Sequence, residues 1–229
     1  MTTEEFDREF DILYNNIMSN AAPSIDAYEK SVFLSKAQEE VLNTLYENSF
    51  ESSEKLTESL KDLVITTSYN SKSDYVTPSF ASELIDSSDC TKLFALKENV
   101  LYIVFESILL NNGKRIPVKP VRHDEYARVR NNPFKRARKN EALRVTANYK
   151  VIDSDKKERT INALEVISPY KEYIYTVRYI RKPKPIILYN EEGLSIDGYD
   201  SVTECELPEI WHRTILDIAV KYAAATYKQ

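Results

Sequence analysis

His123, Asp124 and Glu125 are the one place where an imidazole stands beside carboxylates. General acid–base or metal chemistry uses such groups only when they converge on one point. Consecutive helical positions point in different directions, so these three do not converge. Asp124 reads instead as the N-cap of a helix "HDEYARVR". The other histidine, His212, follows Trp211 and reads as a packed or solvent-facing residue of a terminal helix. There is no GxSxG, HExxH or paired-carboxylate pattern. Cys90 and Cys205 lack any CxxC or Cys/His spacing and read as two buried free thiols. The three glycines, Gly113, Gly193 and Gly198, cannot build a phosphate cradle or a dinucleotide fingerprint. We therefore expect no catalytic residue, no cofactor and no metal site.

The sharpest chemical feature is the basic stretch "RVRNNPFKRARKN". Arg128, Arg130, Lys135, Arg136, Arg138 and Lys139 interleave there with Phe134, and Tyr126 precedes them. Three readings stay open: phosphate contact, docking on an acidic partner surface, or a solvated loop. The net charge of −5 conceals a polarity. Residues 1–62 hold 14 acids against 5 bases, a local −9, and residues 114–144 hold 11 bases against 3 acids, a local +8. Such polarity suits packing against a charge-complementary neighbour as well as it suits nucleic acid.

The elements that must position these residues follow from periodicity. The chain has 229 residues, 42% of them hydrophobic, enough to bury a core. No uncharged run reaches the length of a membrane span, and "MTTEEFDREF" is acidic where a signal peptide would be basic, so we expect a soluble, unsecreted protein. Phe6, Phe10, Leu13 and Ile17 make one helical stripe ending near Ser19. A second helix, capped by Ser24 or Asp26, runs through Tyr28, Val32, Leu34, Ala37, Val41, Leu45 and Tyr46. A short helix is expected between Ser52 and Val64, then a polar loop to about Pro78 that leaves room for a short strand. "NVLYIVFESILL" reads as a largely buried strand, "NNGKR" as its turn and "IPVKPV" as the returning strand. "ALRVTANYKVI", "TINALEVIS" and "EYIYTVRYIRK" read as an antiparallel meander. In "YTVRYIRKPKPIILYN", Pro183 and Pro185 force an extended, unpaired joint at an exposed sheet edge. After Pro208 a last helix is expected to bury Ile210, Ile215, Ile218, Ala219, Tyr222 and Ala223.

The expected class is α+β: N- and C-terminal helices packed as a helical core (1–64 and 204–229), with an inserted antiparallel β-rich subdomain (65–203) carrying a basic loop at about 122–144. Sixteen tyrosines exceed what one core needs and favour contacts that are apolar at the ring and wet at the hydroxyl.

Four collinear blocks, "FDILYNNIMSNAAPSIDAYEKSVFLSKAQEEVL", "VKPVRHDEYARVRNNPF", "YTVRYIRKPKPIILY" and "LPEIWHRTILDIAVKYAAATY", resemble the ring (head-to-tail connector) proteins of crAss-like bacteriophages. Those are similar in layout to the tail adaptors of short-tailed phages. The resemblance implies a non-enzymatic virion component assembled in the host cytoplasm. It implies a homo-oligomeric ring, expected to be a dodecamer, with the portal protein above, further ring or tail proteins below, packaged DNA passing through the lumen, and no membrane. Expected interface residues are Arg128, Arg130, Phe134, Lys135, Arg136, Arg138, Lys139, Tyr179, Pro183, Pro185 and Trp211. The alternative is a phage nucleic-acid-binding or host-interaction protein using residues 128–139.

Overall fold

A computed structural model describes residues 1–18, 23–48, 58–79, 84–86, 90–96, 99–152, 158–190 and 195–227. In chain order these form α1 (Thr3–Ile17), α2 (Ala27–Asn48), β1 (Val64–Asn70), β2 (Thr91–Ala95), β3 (Val100–Leu109), β4 (Arg115–Pro120), α3 (His123–Asn131), β5 (Ala142–Ile152), β6 (Glu158–Ile167), β7 (Ile174–Arg181) and α4 (His212–Tyr227). The chain divides into two compact units, Met1–Leu63 with Lys182–Gln229, and Val64–Arg181. Residues 182–203, grouped with the β-rich insertion on sequence grounds, thus cluster with the terminal helices.

In the helical unit, α1 starts with a reciprocal capping box. The Glu5 amide donates to Thr2 Oγ1 (3.3 Å) and the Thr2 amide donates to Glu5 Oε2 (2.9 Å), which satisfies two otherwise orphaned donors. The helix buries Phe6, Phe10 and Tyr14, whereas Ile17, expected on the same stripe, is exposed at the helix end. Asp26, rather than Ser24, caps α2 by accepting from the Glu29 amide at 2.7 Å. α4 buries Ile215, Leu216, Ala219, Val220, Ala223 and Ala224 and packs on both α1 and α2. Ile210 lies in the 3-10 turn Glu209–Trp211 that precedes α4 and faces outward, 76% exposed. Buried Lys30 ties α1 to α2, with its Nζ 2.7 Å from the carboxylates of both Asp7 and Asp11. Burial alone would lower its pKa, but the bonds to Asp11 and Asp7 outweigh that and hold it raised, so the ammonium stays charged in the interior.

The Lys-Pro-Lys-Pro joint is extended, as expected, but it is neither exposed nor unpaired. Pro183, Pro185 and residues 186–188 are buried, and a polar stripe of α2 receives their backbone. The Ile186 amide donates to Ser35 Oγ (3.0 Å), the Leu188 amide to Ser31 Oγ (3.0 Å), and Gln38 Nε2 donates to the Lys184 carbonyl (2.8 Å). Each serine hydroxyl donates to the carbonyl four residues earlier, Ala27 or Ser31, which leaves its oxygen free to accept the segment's amide. Glu206 accepts from the Lys184 amide (2.9 Å), and Ile187 exchanges backbone bonds with Thr203 (3.2 Å). Proline has no amide to satisfy. The two prolines therefore bring no amide that needs an acceptor, and every backbone amide from Lys184 to Leu188 is paired.

The other unit is one seven-stranded sheet in the order β1-β7-β3-β4-β5-β6-β2. It is mixed rather than antiparallel throughout, because β4 and β5 pair in parallel. Nor do β5, β6 and β7 form one meander: β6 pairs with β5 and β2, while β7 lies between β1 and β3. β7 is thus interior, and its Tyr175, Val177, Tyr179 and Ile180 are buried. Although β1 and β2 end the sheet on opposite sides, Tyr69 of β1 and Phe94 of β2 have ring centroids 5.5 Å apart, and Phe94 stacks on Tyr175 at 5.2 Å. The sheet therefore curls until its two end strands meet over an aromatic interior. β1 is the short strand for which the mostly polar stretch before Pro78 left room. Of the helix expected between Ser52 and Val64, residues 52–57 lie outside the described residues, and the 3-10 turn Lys61–Leu63 leads into β1. β3 is buried only in its second half. Irregular pairing at Val100/Tyr102 and Ile103/Phe105 breaks the alternation and turns Leu101, Val104 and Phe105 outward. The expected turn is present: Gly113 has φ +79°, a left-handed conformation that glycine adopts without strain.

Two outcomes are expected in solution. Ser35→Ala leaves the Ile186 amide without its acceptor and should cost about 1–3 kcal/mol, read as a lower urea midpoint; an unchanged midpoint contradicts the account. His212 is buried, with Nε2 2.8 Å from the Leu207 carbonyl. Burial, partly offset by that bond and reinforced by the nearby terminal amine, holds its pKa below the ordinary 6.5. A depressed folded-state pKa means that the contribution to stability is complete above about pH 6.5 and is lost as pH falls through that window. His212→Gln should flatten the acid side of the pH–stability curve.

Candidate functional site

Parallel neighbours cannot be joined by a tight turn, and need a crossover of roughly a dozen residues or more. Between β4 and β5 that crossover is 121–141, which holds α3 and the basic loop. α3 begins after Arg122, which makes no side-chain cap bond. Asp124, expected as the cap, lies in the first turn and pairs with Arg122 at 3.1 Å. It and Glu125 complement the positive helix start, while Arg128 and Arg130 in the last turn complement the negative end.

A chain of carboxylates fastens α3 to the sheet. The buried Tyr126 hydroxyl donates to Asp86. The Asp86 and Ile85 amides donate to Glu165 at 3.0 and 3.1 Å, and the Tyr149 hydroxyl also donates to Glu165, which is 0% exposed. Burial first, and then the Asp86 carboxylate, push the Tyr126 phenol well above its ordinary pKa, so it remains a donor. Tyr126 also packs among Leu143, Val145 and Ile167, with Val121, Val129 and Ala137 against them.

The loop beyond α3 is held as firmly. Asn132 Oδ1 accepts the Phe134 amide at 2.8 Å, and the Asn132 carbonyl accepts from Lys135 and Arg136 at 3.1 Å. Arg138 and Glu141 exchange backbone bonds, the Tyr170 hydroxyl donates to the Lys139 carbonyl, and Lys114 Nζ reaches Asn140 Oδ1 at 2.6 Å. On this braced frame Phe134 stands 80% exposed, with the Arg138 guanidinium 5.5 Å from its ring centroid. Ala127, Arg128, Asn131, Asn132 and Pro133 line an open groove beside it. Arg128, Lys135, Arg136 and Lys139 have no ion-pair partner among the described residues. Exposed cations on a rigid mount, with an aromatic ring at their centre, are suited to bind an anionic surface that also offers an apolar spot.

The structure thus brings Arg128, Arg130, Phe134, Lys135, Arg136, Arg138 and Lys139 together on this crossover. It places the other expected interface residues elsewhere. Tyr179 is 1% exposed inside the sheet, Pro183 and Pro185 lie buried along α2, and Trp211 is half-buried with its indole N–H unpaired among the described residues. Sequence reasoning passed over Ile12, which is 60% exposed on α1. Its position off the stripe of Phe6 and Phe10 was the available signal. Among the described residues no group of three His, Cys, Asp or Glu could hold a metal ion, and no helix is long and apolar enough to cross a membrane.

Tyr126→Phe removes the hydrogen bond from a buried phenol to the half-buried Asp86 carboxylate, an effect of about 1.5–3 kcal/mol for a bond to a charged group. Amide exchange followed by mass spectrometry should show faster exchange across 123–131 with the far strands β1 and β7 unchanged. Equal exchange in variant and wild type would remove the carboxylate chain as the anchor.

The sequence profile of the phage tail ring protein 3/4 family matches residues 1–229. The chain is similar to "Ring protein 4/5" of Bacteroides phage crAss001, with 35% identity over 232 residues, covering 100% of this chain and 94% of that protein. It is also similar to "Ring protein 3" of the same phage, with 32% identity over 244 residues, covering 100% of this chain and 97% of that protein. The matches cover all of this chain, so they take in the helical unit, the curled sheet and the basic crossover together, and this chain belongs to the ring protein family of crAss-like phages.

Proposed function

We propose that this protein is a structural component of the virion, one copy of a closed ring that joins the portal and capsid to the tail and surrounds the channel through which DNA passes. The portal protein lies above the ring, further ring or tail proteins lie below, the copy number is twelve, and assembly takes place in the host cytoplasm. The ring takes part in ejection as a conduit and carries out no chemistry. The observation that carries this reading is the full-length match to two ring proteins.

The physics of the chain supports it. A closed ring is built from a heterologous contact, in which each copy presents two different surfaces. The acidic α1 and the braced basic crossover supply two such surfaces on one chain. Charge at such a contact sets encounter rate and register, while apolar burial supplies most of the affinity. A second reading, duplex binding by the crossover, is favoured by its six unscreened or lightly screened cations and exposed Phe134. A passive conduit is expected to avoid it, because each added phosphate contact raises salt-dependent affinity and would retard moving DNA.

Native mass measurement of the purified chain, alone and mixed with the portal protein of its own phage, separates the two. The connector reading predicts a large closed oligomer, formed alone or on the portal. An inert monomer that binds duplex DNA with a steep salt slope would replace it with the second reading.

A further inference from the structure

Phe134 is the most exposed large apolar side chain among the described residues, and it does not sit on a loose loop. The Asn132 turn, the Arg138–Glu141 bridge and the Tyr170 and Lys114 bonds hold the backbone around it. A ring kept outward by that many bonds has forgone the burial that a large aromatic side chain otherwise gains. Lys135, Arg136 and Lys139 follow it in the same loop, exposed and without ion-pair partners among the described residues. The missing counterpart is a surface that is acidic at its rim and apolar at its centre.

The chain itself carries one. Of the acids on α1, Asp7 and Asp11 are taken by Lys30. Glu4 and Glu5 are exposed and Glu9 half-buried, and Ile12 stands 60% exposed. Glu5, Glu9 and Ile12 follow one another at i, i+4 and i+7, on one side of the helix. Arg8 is the single base on α1. Ile12 lies off the buried face of Phe6, Phe10 and Tyr14, so its exposure, like that of Phe134, lacks an explanation within one copy.

Resting on the ring reading above, we propose that the contact between adjacent copies is made by the Phe134-centred basic loop of one copy docking on the outer face of α1 of the next. Phe134 packs against Ile12 while Lys135, Arg136 and Lys139 meet Glu4, Glu5 and Glu9. Aromatic and arginine side chains at the centre of a contact, rimmed by complementary charge, form the composition expected of a binding hot spot. Because the two surfaces differ and each copy has both, the contact propagates head to tail and closes by rotation.

A charge swap tests this. One variant carries Lys135→Glu, Arg136→Glu and Lys139→Glu; the other carries Glu4→Lys and Glu9→Lys, leaving the capping Glu5 in place. Each full-length variant is measured by native mass spectrometry and analytical ultracentrifugation, alone and with the portal protein, beside the wild type. Each variant alone is expected to associate at least about tenfold more weakly than the wild type. An equal mixture is expected to regain association with the two chains alternating, since every loop then meets a helix of opposite charge. Regain in the mixture also shows that both variants are folded. Wild-type-like assembly of either variant, failure of the mixture to recover, or loss of duplex binding alone in the loop variant would each overturn this docking while the wild-type ring stands. A wild type that never assembles, alone or on the portal, would overturn the ring reading itself.

Discussion

The parallel pairing of β4 with β5 is the constraint from which the position of the basic crossover follows. A chain that leaves Pro120 and must re-enter the sheet at Ala142 running in the same direction has to travel back along the outside of the sheet. That return path is where the basic residues lie. Because the path is obligatory, it is also anchored. Glu165, wholly buried on β6, holds the amides of Ile85 and Asp86, and Asp86 in turn receives Tyr126. A buried carboxylate is tolerated only when such donors surround it. The same charge that would be a liability in an ordinary core therefore becomes the fastening for the exposed face.

A comparable economy governs the helical unit. Ser31, Ser35 and Gln38 are polar residues on the buried face of α2, a pattern that by itself weakens a helix–helix seam. They are there because the buried partner includes an extended chain, and an extended chain brings amides and carbonyls that need partners. Pro183 and Pro185 reduce the number of amides, and the serines and glutamine serve those that remain. Lys30, between Asp7 and Asp11, settles the remaining charge between α1 and α2. The outer face of α1 is thereby left with Glu4, Glu5 and Glu9, none of which forms an ion pair among the described residues.

Much of this was legible in the residues alone, and what was not has identifiable causes. Helical stripes with caps place themselves, because periodicity and capping are local; α1, α2 and α4 lie where their spacing puts them. The Asn112-Gly113 turn is likewise local. Strand partnership is not local. β7 carries the alternation of a meander strand but joins β1 and β3, since β2 already occupies the free edge of β6. The buried half of β3 reads correctly, and the exposed half does not, because its pairing irregularities invert the pleat without any glycine or proline to announce them. In the site, the basic run was evident from composition, whereas the rigidity that distinguishes an interface from a solvated loop depends on Asp86, Glu165 and Tyr170, residues far from it in sequence. Tyr179, Pro183 and Pro185 were misread as surface because tyrosine and proline say little about which side of a sheet or helix they face.

The proposed docking of the basic crossover on the acidic helix of the next copy would make this chain self-complementary in a directional sense, which is the property a ring subunit requires and a solitary protein does not. Electron cryomicroscopy of purified virus particles, at a resolution that traces side chains, tests that most directly. The account predicts a closed ring of this chain coaxial with the tail, between portal and tail, with the 128–139 loop of each copy covered by its neighbour. Particles that lack the chain, or a ring in which that loop faces only solvent or DNA, would contradict it.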